Sequence, residues 1–134
     1  MSRDPHLLLQ DIIESGAAIQ GYIAGLDFDR FAADPLRMDG VVRRFEIIGE
    51  AVKKLPAVLT DAEPEIPWRA IAGFRDVLAH AYFDTAASIV WNSATEHLPA
   101  LLAACRRLGC SAPRSEDEGD NGDPVGLPPI TDND

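Results

Sequence analysis

The chain has 134 residues, 46% of them hydrophobic, and a formal net charge of −10. That is one domain by length, with enough residues to bury a core without disulfide or metal staples. Residues 1–110 hold 15 acids against 11 bases and residues 111–134 hold 7 acids and 1 base, so broad capture of nucleic acid on a basic face is disfavoured and only a small, locally positive cleft is left room.

Asp4-Pro5 supplies an N-cap and a first helical residue. Leu9, Ile12, Gly16, Ile19 and Ile23 then recur at three- and four-residue steps, the apolar stripe of a helix that Gly25 and Asp27 end. A second start falls at Asp34-Pro35. Met38, Val41, Phe45, Ile48, Val52 and Leu55 carry that helix to Pro56, with Glu50 and Lys54 as an exposed-face pair. Residues 60–65 read as a polar loop. Pro67 opens a third helix through Trp68, Ile71, Phe74 and Leu78.

Asp84 or Thr85 is placed to cap a fourth helix, with Ile89, Val90, Ala94, Leu98, Leu101 and Leu102 inward. Pro99 lacks a backbone donor and clashes with the preceding turn, so a kink or break is expected there. Leu108 and Gly109 close the last helix. No segment alternates with a period of two. The expected architecture is an all-α, antiparallel bundle of four to five helices over residues 1–110. Residues 111–134 are rich in Gly, Pro, Ser and acid and read as a disordered acidic tail, with Val125–Ile130 a small apolar patch.

Cys105 and Cys110 match no metal or redox spacing and read as free thiols in a reducing cytoplasm. No basic-then-apolar N-terminal signal is present, and no apolar run approaches the ~20 residues that span a bilayer. A cytoplasmic protein with no membrane contact is expected.

Chemistry concentrates in Arg75-Asp76-Val77-Leu78-Ala79-His80-Ala81-Tyr82. Arginine is a permanent cation with a fork of donors suited to phosphate. Histidine exchanges protons near neutral pH, and a tyrosine hydroxyl can hydrogen-bond, stack on a base or be modified. Together they suit phosphodiester cleavage, with His80 as the base for a 2′-hydroxyl and Arg75 neutralising charge on the phosphoryl oxygens. Asp76, one turn before His80, offers a carboxylate to fix the imidazole tautomer. This chemistry calls for no metal or other cofactor.

On a straight helix His80 projects about 140° away from Arg75. Either the helix ends near His80 or a second copy of the chain completes the site. The plain alternative makes Arg75 and Asp76 solvated charges, His80 a capping or core-edge histidine and Tyr82 a core residue with a wet hydroxyl. His6 and His97 have no clustered partners and read as structural, and Trp68 and Trp91 read as packing residues.

These residues resemble the HEPN superfamily and, within it, the HepT-like family of toxin ribonucleases. Arg43-Arg44-Phe45-Glu46-Ile47-Ile48-Gly49-Glu50-Ala51 is similar to that family's second-helix signature. Ile66-Pro67-Trp68-Arg69-Ala70-Ile71-Ala72-Gly73-Phe74-Arg75-Asp76 is similar to the approach to its site. Val90-Trp91 and Leu98-Pro99 match pairs in its last helices, and the resemblance runs over roughly residues 4–108.

The resemblance implies a symmetric homodimer with a composite cleft, metal-independent RNA cleavage, Arg75 and His80 as catalytic positions, and Tyr82 completing the motif. It also implies a partner, a minimal nucleotidyltransferase antitoxin of the MntA type, able to transfer AMP to Tyr82. An adenylyl group there adds bulk and negative charge that compete for Arg75. Asp76 departs from the asparagine common in the family and sets a negative charge beside the scissile phosphate. The leading expectation is thus a toxin endoribonuclease of a type II-like toxin–antitoxin pair. The rival is a non-catalytic HEPN helical dimer that binds and regulates a nucleotidyltransferase, which the acidic body favours.

Overall fold

A computed structural model describes residues 4–111, apart from the side chains of Phe83, Asp84 and Ser111. The acidic tail and its apolar patch lie outside the described residues. Among those residues every regular element is helical: α1 (Pro5–Ile23), α2 (Phe28–Ala32), α3 (Pro35–Lys53), α4 (Ala57–Asp61), α5 (Trp68–Ala72), α6 (Phe74–Ala79), α7 (Phe83–Asn92), a π-turn at Ser93–His97, and α8 (Leu98–Ser111). The all-α bundle expected from the sequence is the fold observed.

Three aspartates start the first three helices by the same device. The Asp4 carboxylate accepts from the His6 N–H at 2.9 Å, Asp27 from the Arg30 N–H at 2.9 Å, and Asp34 from the Arg37 N–H at 3.1 Å. Each satisfies a donor the first helical turn cannot, a contribution of about 1 kcal/mol. Pro5 and Pro35 occupy first-turn positions where no N–H is needed. Gly25 adopts φ +79° just beyond α1, a left-handed conformation that glycine takes without strain.

The core is the sum of the apolar stripes. Leu9, Ile12 and Ile19 of α1 meet Val41, Phe45 and Ile48 of α3 and Leu98, Leu102 and Cys105 of α8, all buried. Gly16 lets α1 and α8 approach closely, since a Cβ there would run into the Leu102 side chain. Burial pushes the Cys105 thiol up to about 12, and both cysteines are free.

Four details depart from the sequence reading. Two short helices, α2 and α4, occupy stretches read as connections. Phe31 of α2 is fully buried, with its ring 5.3 Å from that of Trp91. Glu50 pairs with Lys53 at 3.3 Å rather than with Lys54. The fourth helix starts at Phe83 with Tyr82 in the N-cap position and no side-chain cap, so neither Asp84 nor Thr85 is the cap residue.

Pro99 does not break the helix either. The widened turn Ser93–His97 comes just before it, where the Leu98 N–H donates to the Ser93 carbonyl five residues back. Widening the ladder ahead of the ring accommodates the clash and the missing donor that proline brings, so α7 runs through into α8.

Trp68 does more than pack. Its Nε1–H is shared between the Thr60 and Glu63 carbonyls at 3.1 and 3.0 Å, which pins the loop ahead of α5. His6 is structural as expected, its Nε2–H donating to the Gly109 carbonyl at 3.2 Å.

Candidate active site

The third helix is two helices. Gly73, at φ −96° and ψ 11°, separates α5 from α6 and serves as the end of one and the start of the other. The break sits against α3 at Gly49, where a Cβ would stand 3.2 Å from the Ile71 carbonyl oxygen. Phe74 then turns inward, its ring 4.9 Å from that of Phe45. With α6 anchored on its Phe74 side, Arg75 and Asp76 face solvent.

The chain leaves the helix at the histidine. α6 ends at Ala79; His80 has φ −106° and ψ 9°, and Tyr82 is extended at φ −69° and ψ 161° before α7 begins. The helix that carries Arg75 therefore ends just before His80, the first of the two arrangements the sequence left open. Tyr82 is 87% exposed and is not the core residue of the plain alternative.

His80 Nδ1 lies 2.9 Å from the backbone carbonyl oxygen of Asp76. A carbonyl only accepts, so Nδ1 carries the hydrogen and, in the neutral ring, Nε2 presents a lone pair. The sequence expectation for Asp76 is thus corrected in its atom. Asp76 orients His80 through its main chain, because His80 falls at the C-terminal end of α6 where carbonyls are unpaired. Any residue at 76 supplies that carbonyl, which accommodates the departure from asparagine.

Arg75 is held by a residue the motif does not contain. Its Nε stands 3.9 Å from Glu46 Oε2, while Glu46 Oε1 takes Arg43 Nη1 at 3.4 Å. Arg43, Glu46, Glu50 and Lys53 follow one another along one face of α3 and line a polar cleft of about 480 Å³, with Gly73, Arg75 and Asp76 opposite. Their three- and four-residue spacing was visible in the sequence. What it faces depends on the α5–α6 break, which was not.

No hydrogen bond or ion pair joins Arg75, His80 and Tyr82 to one another among the described residues. All three are exposed: Arg75 in the first turn of α6, His80 and Tyr82 in the connection from α6 to α7. No group of three or more His, Cys, Asp or Glu side chains with metal-binding geometry occurs among the described residues. His97 lies elsewhere, lining an apolar cavity of about 330 Å³ with Phe45, Ile66, Phe74 and Leu98. No helix among the described residues is long and apolar enough to cross a membrane.

A helical bundle that exposes arginine, histidine and tyrosine on α6 and in the connection after it agrees with the sequence comparisons. The model of the family described as "Ribonuclease HepT-like" matches residues 12–108. The chain belongs to the HepT-like ribonuclease family. It is 36% identical over 108 residues to a protein of Thermococcus cleftensis named "Probable ribonuclease HepT", covering 81% of this chain and 98% of that one. It is 35% identical over 99 residues to "Putative RNase TTE0752" of Caldanaerobacter subterraneus subsp. tengcongensis, covering 74% and 88%. It is also 35% identical over 97 residues to "Putative RNase MJ0127" of Methanocaldococcus jannaschii, covering 72% and 80%. No solved structure matches the chain significantly.

Proposed function

We propose that this chain is a metal-independent endoribonuclease, the toxin of a toxin–antitoxin pair. The observation that carries the reading is the His80 Nδ1–H bond to the Asp76 carbonyl, which leaves Nε2 as an acceptor five residues after the exposed Arg75. Nε2 takes the proton of a 2′-hydroxyl, and the 2′-oxygen attacks the adjacent phosphorus. The bond from phosphorus to the 5′-oxygen breaks, leaving a 2′,3′-cyclic phosphate and a 5′-oxygen that picks up a proton from solvent. Arg75 supplies fixed donors to the non-bridging oxygens as charge grows on them.

Two copies of the chain place their turns across a shared cleft. A minimal nucleotidyltransferase silences the toxin at Tyr82. These parts rest on the family resemblance and on the 87% exposure of Tyr82, which offers its hydroxyl to a partner's active site.

The deciding experiment is cleavage of bulk RNA by the purified chain in EDTA, beside His80→Ala. Loss of a general base costs about 10²–10⁴-fold, so the variant is expected to fall to background with its helicity unchanged. Equal cleavage by both proteins would remove His80 from the chemistry. A second reading, a non-catalytic helical dimer that binds a nucleotidyltransferase, is favoured by the acidic body. Folded, unmodified wild type that leaves RNA intact would select it.

A further inference from the structure

We propose that Arg43 is a second phosphate-binding residue, paired with Arg75 through Glu46, and that the cleft along α3 receives the RNA backbone beside the scissile phosphate. The proposal rests on the ribonuclease reading and adds a subsite to it. Glu46 is the inner member of the trio: its side chain is 31% exposed, against 70% for Arg43 and 78% for Arg75. One carboxylate holds two guanidinium groups that stand further out into solvent. Two positive charges against one negative leave a local excess of one. Among the described residues Glu46 engages only Nη1 of Arg43 and Nε of Arg75. Among the described residues no further partner of either fork is seen, and such forks match the oxygens of a phosphate.

The placement follows from the backbone. Arg43 and Glu46 are on α3 and Arg75 is on α6, so the pair exists only because α3 lies against the α5–α6 break at Gly49. The cleft takes in Arg43, Lys53 and Arg75 but not His80, so it extends to one side of the turn that carries the histidine. A single strand carries one phosphate per nucleotide. With the scissile phosphate on Arg75, the neighbouring phosphate falls to the fork one carboxylate away.

The lining balances Arg43, Lys53 and Arg75 against Glu46, Glu50 and Asp76. Capture therefore depends on a few directed donors and not on a broad positive field, and the salt dependence should be shallow. This reconciles RNA binding with a chain of net charge −10.

The test is equilibrium binding of an RNA oligonucleotide made uncleavable by 2′-deoxy substitution, titrated against salt, with the full chain and its Arg43→Ala, Arg43→Lys and Arg75→Ala variants. Arg43→Ala should weaken binding about tenfold, the loss of one charge-assisted contact. It should also reduce the slope of log affinity against log salt by about 0.7, one single-strand phosphate. Arg43→Lys should restore the slope and only part of the affinity, since the charge returns without the fork. In cleavage assays Arg43→Ala should raise KM and leave kcat within about threefold. Arg43→Ala binding as tightly as wild type, with an unchanged slope, while Arg75→Ala loses both, would overturn the subsite and leave the ribonuclease reading standing. An oligonucleotide that wild type neither binds nor, with its 2′-hydroxyls restored, cleaves would overturn both.

Discussion

At the scale of single residues, His80 makes a bond to its own chain, the contact of a histidine that caps a helix end. The Asp76 carbonyl fixes ring orientation and tautomer together, so the group that would accept a proton is prepared before substrate arrives. Tyr82 stands clear of the fold between α6 and α7. If Tyr82 receives AMP, its hydroxyl oxygen attacks the α-phosphorus of a nucleoside triphosphate, pyrophosphate departs, and the phenolic proton is lost to solvent. Co-expression with the cognate nucleotidyltransferase should then add whole adenylyl units to wild type and none to Tyr82→Phe, read by intact mass. Addition to both proteins would move the acceptor elsewhere.

The motif residues were legible in the sequence because their chemistry is local. The atom by which Asp76 acts was not, since side-chain type says nothing of which carbonyls a helix end leaves unpaired. Glu46 was hidden for a different reason: its link to Arg75 joins two helices, and no local pattern encodes that.

At the scale of elements, the capping Asp4 and Asp34, the apolar stripes and Gly25 after α1 were readable because each acts within one or two turns. Gly109, expected to close the last helix, instead lies inside α8, which runs to Ser111. The missed breaks and bends depend on tertiary packing. Gly73 interrupts a helix that periodicity alone would continue, and the bend is held where Phe74 packs on Phe45 and where Gly49 admits the Ile71 carbonyl. Pro99 is tolerated because the π-turn ahead of it adjusts, while the flanking Ala94 and Leu98 stay buried.

Two glycines of α1 separate propensity from packing. A Cβ added at Gly21 would meet only open space, so Gly21→Ala should gain about 1 kcal/mol from helix propensity alone. Gly16→Ala gains the same propensity but drives a methyl into Leu102, and overpacking costs about 1–3 kcal/mol. Thermal melts should show Gly21→Ala rising above wild type and Gly16→Ala failing to rise or falling below it. Equal gains would mean that α1 and α8 are less tightly joined than the described contact implies.

At the scale of the whole molecule, a few long-range polar ties close the bundle around the apolar core. Arg37 Nη1 donates to the Tyr22 carbonyl at 2.7 Å, joining α3 to the end of α1, and His6 joins the start of α1 to the end of α8. Arg107 of α8 donates from Nε and Nη2 to the two Glu63 oxygens at 3.0 and 2.7 Å. Glu63 belongs to the loop that Trp68 also pins, and that loop leads into α5 and α6. The Arg107 hydrogen bonds hold the Glu63 carboxyl below its ordinary value of 4.5. A carboxyl depressed in the folded state contributes stability that is complete above its unfolded pKa and is lost as pH falls through the folded one. Arg107→Ala should therefore melt below wild type at neutral pH, by a modest margin because the pair is near the surface. The two melting curves should converge as pH drops below about 4.5. A gap that stays constant into strong acid would assign the contribution of Arg107 to packing of its alkyl stem rather than to the ion pair.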